Sequence, residues 1–200
     1  PFIRTCGEKT IFGGSPNFGA GVYAWKIYKE LPAHYQATIK AQLFFIDSWE
    51  GESISLIADG NTIHQESYNV EESSYSDTCG NNDPDKIATI TSSPFSHTAS
   101  TLTLKFTTTL DEAGSEESFG FNEINITLDL CDSACSACTG STISECSACS
   151  SGWFLSGTTC GTTCPTGYTG DTITNTCTSI YLFFFIGNDL IKYFKQNLRR

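Results

Sequence analysis

The sequence contains no methionine, only three histidines (His34, His64 and His97) and no long apolar run. Without an initiator methionine we expect a processed or excerpted chain, in which a removed signal peptide would not be visible. The histidines form no His-x3-His pair, and neither a Gly-x-Ser-x-Gly motif nor a phosphate-cradling loop is present. The apolar stretch at 179–187 is about half as long as a membrane span requires. These absences predict a non-catalytic protein without a membrane-spanning helix.

Basic residues are also scarce, with 11 Lys and Arg against 22 Asp and Glu. Residues 1–130 hold 7 of these cations and 18 of the acids, a net charge of −11 (7 − 18), whereas residues 131–200 hold 4 of each and are neutral. An acidic first segment repels phosphate groups, so nucleic acid is excluded as a partner.

Cysteine, in contrast, is abundant: eight of the ten lie between Cys131 and Cys177. This density favours disulfides in an oxidising compartment. Zinc is the competing interpretation, because Cys135-x2-Cys138 and Cys146-x2-Cys149 have ligand-like spacing. The residues between these cysteines are rich in Ser, Thr and Gly and include no Lys, Arg or His. We therefore predict disulfides and an extracellular or cell-surface location.

Cys6 and Cys79 are the only cysteines before residue 131. The default prediction is one bridge between them, which would close a loop of about 73 residues and stabilise the fold by roughly 4 kcal/mol in the chain-entropy model. Pairing with a second molecule is the alternative.

Residues 1–130 show the pattern of β-strands and no sustained helical period. Segment 53–68 predicts a hairpin, because Asp59-Gly60 separates two β-prone arms. Further strands are predicted for 35–46, 86–92, 101–110 and 118–130. In the last of these, one face is marked after a small offset by Phe119, Phe121, Ile124, Ile126 and Leu128. We predict an all-β fold, an antiparallel sandwich closed by residue 130.

The cysteine-rich segment has the spacing Cys131-x3-Cys135-x2-Cys138-x7-Cys146-x2-Cys149-x10-Cys160-x3-Cys164-x12-Cys177. Spacing alone leaves 105 connectivities open. Together with Cys-Pro-x-Gly-Tyr at 164–168, this segment resembles the furin-like, growth-factor-receptor type of cysteine-rich repeat. The resemblance implies β-hairpin rungs stacked in a rod over 131–178. It also implies the pairs Cys131–Cys138, Cys135–Cys146, Cys149–Cys160 and Cys164–Cys177.

The first segment is similar to a module found beside such repeats in large surface proteins of ciliated protists. The similarity lies in "LPAHYQATIKAQLFFIDSWEGE" (31–52), "CGNNDPD" (79–85) and "SHTASTLTLKFTTTLDEAGSEESFGF" (96–121). It implies a jelly-roll-like sandwich and a surface location rather than an activity. Where that module has Ile-Asp-Ser-Trp-Asp-x-Glu, this chain has Glu50 in place of the second Asp.

The stretch "FFIDSWEGE" (44–52) is a candidate calcium site. Asp47, Glu50 and Glu52 place carboxylates on a loop that leaves a strand, and calcium prefers several hard oxygen ligands. A further carboxylate must come from elsewhere, and Glu123, Asp59 and Asp111 are the candidates. The alternative is that Asp47 caps the turn and Trp49 fills the core.

Three other features bear on binding and modification. Trp25 or Trp49 could stack on a glycan, although a Trp within a β run is more often part of the core or the sheet surface. Asn125-Ile-Thr127 is an N-glycosylation sequon. His34 and His97 each begin a predicted strand, where a hydrogen-bonded structural role is expected.

The tail at 179–200 combines an apolar segment (Phe183, Phe184, Phe185 and Ile186) with a basic end. It could be an interfacial anchor, a segment that docks on another copy, or sequence foreign to the mature chain. A non-closing contact of this tail with the next copy would give a filament. We therefore expect a structural protein of an extracellular layer or filament that self-associates. The alternative is an adhesion module that binds glycan or protein through an open cleft of aromatic and acidic residues, with or without calcium.

Overall fold

The computed structural model describes residues 2–72, 76–81, 83–180, 184–186 and 189–191. The chain divides after Leu130 into two compact units. Within the described residues the only helix is a short 3-10 turn, Val70–Glu72. None of the described helical structure is long and apolar enough to cross a membrane. The prediction of an all-β sandwich followed by a disulfide-rich region is confirmed.

Two antiparallel sheets form the first unit. Sheet A contains β1 (Ile3–Cys6), β2 (Lys9–Gly13), β4 (His34–Asp47), β7 (Lys86–Thr91), β8 (Phe95–Ser96) and β10 (Glu117–Leu130). Sheet B contains β3 (Tyr23–Tyr28), β5 (Glu50–Ala58), β6 (Asn61–Asn69) and β9 (Leu102–Thr108). The strand order is β1-β2-β10-β4-β7 in sheet A, with β8 also paired to β4, and β3-β9-β5-β6 in sheet B.

The core lies between the two sheets and follows the alternation of the strands. On β4 the odd-numbered residues from Ala37 to Phe45 are buried in it, and β9 contributes Leu102, Leu104 and Phe106. On β10 the apolar face continues past Phe121 to Ile124 because a bulge interrupts the register between Asn122 and Asn125. This bulge is the physical origin of the offset seen in the sequence.

A smaller apolar cluster lies on the opposite face of sheet A. Phe44 and Ile46, the even-numbered neighbours of the core residues on β4, pack there with Ile11 and Cys6. Cys79 packs against this cluster and is bonded to Cys6. The disulfide therefore holds the loop around Cys79 against the outer face of the sheet.

The second unit consists of short strands and disulfides. Its strands are β11 (Cys135–Cys138), β12 (Cys146–Cys149), β13 (Phe154–Ser156), β14 (Thr159–Gly161), β15 (Tyr168–Asp171), β16 (Thr176–Ser179), β17 (Phe184–Ile186) and β18 (Asp189–Ile191). Its disulfides are Cys131–Cys138, Cys135–Cys146, Cys149–Cys160 and Cys164–Cys177. All ten cysteines are bonded, which indicates an oxidising, extracellular type of environment.

The predicted assembly segment is described only in part. Phe184, Phe185 and Ile186 form β17, which pairs with β18. Phe183 lies outside the described residues, and for 184–186 only the backbone is described.

Candidate functional site

The end of β4 turns sharply at Asp47, one of the predicted calcium ligands. Asp47 has φ 67°, a left-handed conformation that Asp and Asn tolerate better than most residues. Its side chain is 0% exposed, as is that of Trp49 two residues later. The indole Nε1–H of Trp49 donates to the Ser118 carbonyl at 2.9 Å. Trp49 therefore fills the core and is not available as a surface for sugar stacking.

Asp47 is held by the loop that the Cys6–Cys79 bond secures. Its backbone N–H donates to Asp85 Oδ1 at 3.0 Å, and the Asn81 N–H donates to Asp47 Oδ1 at 2.5 Å. Asp47 Oδ2 is buried and has no hydrogen-bond partner among the described residues. Gly80 lies so close that a Cβ at this position would overlap the Asp47 carboxylate. The carboxylate is thus enclosed, with one oxygen satisfied and the other not.

This environment changes the protonation of Asp47. The pKa of Asp47 is raised to about 6. Burial is the main cause, the hydrogen bond from Asn81 opposes the rise, and the negative charges of Asp85, Asp83 and Asp77 add to it. A buried carboxyl with a raised pKa carries its proton at mildly acidic pH. The folded protein is therefore sensitive to pH at this position.

The other two predicted ligands lie apart from Asp47. Glu50 is exposed at the start of β5, and its N–H donates to Glu52 Oε2 at 2.6 Å. Glu52 instead meets Asp111 and Glu117, whose carboxylate oxygens all lie within 4.8 Å of one another. We call Glu52, Asp111 and Glu117 the acidic triad.

Of the three further carboxylates considered from the sequence, only Asp111 joins the triad. Glu123 forms an ion pair with Lys9 at 2.9 Å, and Asp59 contacts His97 at 3.0 Å. Glu117 was not predicted as a ligand, because in the sequence it is only a polar residue at the start of a strand. It comes into reach because Glu117 pairs with Asp47 at the end of β4, and β5, which carries Glu52, begins three residues later.

Glu117 is the buried member of the triad, with 1% of its surface exposed. Its Oε1 accepts hydrogen bonds from the backbone N–H groups of Asp111 and Glu112, both at 2.7 Å. Burial raises the pKa of Glu117, and the charges of Glu52 and Asp111 add to the rise against the effect of those two N–H groups. Three crowded carboxylates of this kind favour a neutralising proton or cation.

His34 and His97 are buried and hydrogen-bonded. His34 Nδ1 lies 2.6 Å from the Pro32 carbonyl oxygen, and its Nε2 lies 2.6 Å from His97 Nδ1. His97 Nε2 in turn lies 3.0 Å from Asp59 Oδ2. Both rings are buried and stacked, which accords with the hydrogen-bonded role expected from their positions. No histidine lines the cleft described next.

A cleft of about 520 Å³ opens between the sheets at the edge where β1 and β3 are the end strands. Its lining is mainly apolar and aromatic, with a few polar groups. The volume lies within the range of small-molecule binding sites. We call this the edge cleft.

Strand β3 supplies one wall of the edge cleft. Its residues Ala24, Lys26 and Tyr28 face the core side, where Lys26 is opposite Leu104 in the register. Trp25 alternates with these residues and lies on the other face of β3, opposite Lys105; it is 60% exposed and lines the outer rim of the cleft. Much of the Trp25 indole therefore lies outside the core and is accessible to a ligand.

The bulge of β10 supplies the polar groups on the other wall. Asn122 Nδ2 donates to the Thr10 carbonyl at 3.0 Å, and Asn122 Oδ1 is buried without a hydrogen-bond partner among the described residues. Glu123 has φ 50° in the bulge and is paired with Lys9. Asn122 and Glu123 thus line the cleft at the bulge, where the Glu123 side chain is exposed and the Asn122 oxygen is buried.

The sequence had identified Trp25 as a candidate platform but not its neighbours in the cleft. Lys26, Tyr28 and Asn122 meet there only because β3 and β10 end up on facing sheets, which no local pattern reveals. Asn125, the predicted glycosylation residue, is exposed on β10, and the Thr127 hydroxyl donates to its Oδ1 at 3.3 Å. Its glycosylation stays a prediction.

Comparison with known proteins reveals distant similarity of fold. No family model matches the chain, and neither does any curated protein. The solved structures it resembles include the EclA C-terminal domain, described as a sugar-binding protein (20% identity, TM-score 0.38, 57% of this chain and 71% of that chain). A carbohydrate-binding module CBM36 in complex with calcium and xylotriose is 11% identical (TM-score 0.32, 62% of this chain and 92% of that one).

Dimeric latent PorU from Porphyromonas gingivalis is 14% identical, with a TM-score of 0.37 over 56% of this chain but only 11% of its own length. Identities and TM-scores this low assign neither a ligand nor a site to the present chain. The furin-like character of 131–177 likewise remains a resemblance.

Proposed function

We propose that this protein is a non-catalytic, extracellular carbohydrate-binding module and that the edge cleft is its ligand site. The observation that carries the proposal is the open cleft with Trp25 on its rim and hydrogen-bonding groups on the facing wall. Sugar rings present apolar C–H faces that pack on aromatic rings, and hydroxyls that need donors and acceptors. The edge cleft offers both kinds of group within one concave surface.

This proposal places glycan binding before assembly, the function that the sequence put first. The assembly interpretation depends on the side chains of Phe183, Phe184, Phe185 and Ile186, which lie outside what the structure describes. The binding interpretation required an open cleft of aromatic and acidic residues, and a cleft lined by Trp25 and Glu123 is present. Self-association of the chain stays a prediction.

Replacing Trp25 by alanine is expected to weaken glycan binding at least tenfold, because the rim loses its stacking surface. The full chain is first screened on a glycan array, and the glycans retained are then titrated calorimetrically with the wild type and Trp25→Ala. Tyr168→Ala is the matched control, since Tyr168 is a similarly exposed aromatic residue in the second unit. Absence of any bound glycan, or equal affinities for wild type and Trp25→Ala, would contradict the proposal.

We further propose that the acidic triad binds a structural calcium ion. Its residues fit this ion, because Glu52, Asp111 and Glu117 supply hard carboxylate oxygens within 4.8 Å of one another. The charge is crowded, and none of the three forms an ion pair with Lys or Arg among the described residues. A bound calcium ion would offset this repulsion and connect the start of β5 to the start of β10.

Calcium is accordingly expected to stabilise the folded protein, by about 1.4 kcal/mol when its free concentration is ten times Kd. Differential scanning calorimetry with calcium and with a chelator measures the effect as a shift in Tm. Glu117→Gln should abolish the shift, whereas Glu50→Gln should retain it, because Glu50 is exposed and outside the triad. A Tm that is the same with calcium and with chelator would rule out the ion site.

A further inference from the structure

Lys26 stands where the strand pattern calls for an apolar residue. On β3 it shares a face with Ala24 and Tyr28, both of which pack in or against the core. Directly opposite on β9 is Leu104, which is almost fully buried. A lysine at this position directs its charged end into the space between the sheets at the open edge, which is the edge cleft.

The positive charge of Lys26 is not offset within the cleft. No described carboxylate lies within ion-pair distance of its ammonium group, which instead lies 4.8 Å from the centre of the Tyr28 ring. Glu123 is the one carboxylate that lines the cleft, and its charge is matched by Lys9 at 2.9 Å. The cleft thus presents one unmatched cation.

This local charge contrasts with the net charge of residues 1–130 as a whole, which is −11 (7 cations and 18 acids). Twelve of the 18 acids belong to 47–52, 71–85 and 111–117, away from the cleft lining (three, five and four acids respectively). The net negative charge of this unit repels anions in general, and the unmatched charge of Lys26 opposes that repulsion inside the cleft.

We propose that the edge cleft selects glycans that carry a carboxylate, such as uronic or sialic acid residues, and that Lys26 binds the carboxylate. This inference rests on the proposed carbohydrate-binding function. An ammonium group forms charge-assisted hydrogen bonds with a carboxylate, and the apolar cleft walls reduce their screening by water. Trp25, on the rim of the cleft, would pack on the sugar ring.

A second role for such a lysine is to protect an edge strand. Inward-pointing charges on edge strands block pairing with another chain, and β3 is an end strand of sheet B. That role would affect the aggregation of the protein and leave its preference among ligands unchanged. The two roles are therefore separable by experiment.

The test uses pairs of probes that differ in the carboxylate: oligogalacturonate and its methyl ester, and sialyllactose and lactose. Calorimetric titration of the full chain is expected to show at least tenfold tighter binding of the acidic member of at least one pair. Lys26→Gln should remove this preference without weakening the neutral member, and Lys26→Arg should keep it. Lys40→Gln is the matched control, because Lys40 is an exposed lysine on β4 that does not line the cleft.

Three results would overturn the inference. The first is equal binding of the acidic and neutral members, and the second is loss of the preference in Lys40→Gln but not in Lys26→Gln. The third is a change in Lys26→Gln of the oligomeric state alone, measured by size-exclusion chromatography. In each of these, neutral binding that depends on Trp25 would leave the proposed function standing. Failure of every probe and every array glycan to bind would overturn both.

Discussion

Replacing Cys6 and Cys79 together by alanine is expected to lower the free energy of unfolding of residues 1–130 by about 4 kcal/mol. The bond closes a loop of 73 residues, so its loss releases a large conformational entropy in the unfolded chain. Alanine keeps much of the apolar contact of these positions with Ile11, Phe44 and Ile46. A loss of this size is a large fraction of the 5–15 kcal/mol that stabilises a typical domain.

Hydrogen exchange of the β4 amides in the full chain measures the loss of unfolding free energy in residues 1–130. Amides of core strands exchange only when the unit opens almost completely. The double variant Cys164→Ala with Cys177→Ala is the matched control. It removes a bond that closes only 13 residues in the second unit, for which the same model gives about 3 kcal/mol. Protection of β4 that falls by less than 1 kcal/mol in the Cys6 and Cys79 variant would refute the prediction.

Asp47→Asn is expected to stabilise the protein at pH 7.5 by up to about 3 kcal/mol and to have little effect at pH 4. The pKa of Asp47 rises from an ordinary value near 4 in the unfolded chain to about 6 in the folded protein. A raised carboxyl pKa means that the folded state holds the proton more tightly. The contribution of protonated Asp47 to the free energy of unfolding is therefore fully present below pH 4 and is lost as pH rises through 6.

Asparagine suits this position because it tolerates the positive φ of residue 47 and its oxygen can still accept from the Asn81 N–H. The comparison is made by urea unfolding of both proteins at several pH values between 4 and 7.5. Asp83→Asn is the control, since Asp83 is exposed and its charge is only a secondary cause of the shift. A difference between Asp47→Asn and wild type that does not change with pH would show that Asp47 is ionised throughout.

The strands could be predicted from the sequence where one face is buried, because alternation is then imposed by the core. Segment 101–110 contains β9, and its Leu102, Leu104 and Phe106 are the buried set. The hairpin at Asp59-Gly60 joins β5 and β6 as expected. Strands β1 and β2, at the edge of sheet A, were not predicted, since few of their side chains are buried and their pattern is correspondingly weak.

The site was harder to predict, because its groups come together through pairing between distant strands. Asp47, Glu50 and Glu52 are adjacent in sequence, but the turn at Asp47 sends that side chain toward Asn81 and leaves Glu52 beside Glu117. Trp25 and Trp49 both lie in β-prone runs, and only the fold shows that one is exposed and the other buried. The local sequence pattern indicates which face of a strand is buried. It does not indicate which loops meet at the end of that strand.

The contact between Gly80 and Asp47 also constrains how this protein can vary. Gly80 has φ 92°, and a Cβ there would overlap the Asp47 carboxylate, so two separate causes require glycine at this position. Loss of the Asp47 carboxylate would remove the overlap but leave the positive φ. Among homologous sequences, position 80 should therefore be glycine wherever position 47 is acidic. Departures from glycine should be confined to sequences in which a smaller residue replaces Asp47, so that the two positions covary although 33 residues separate them.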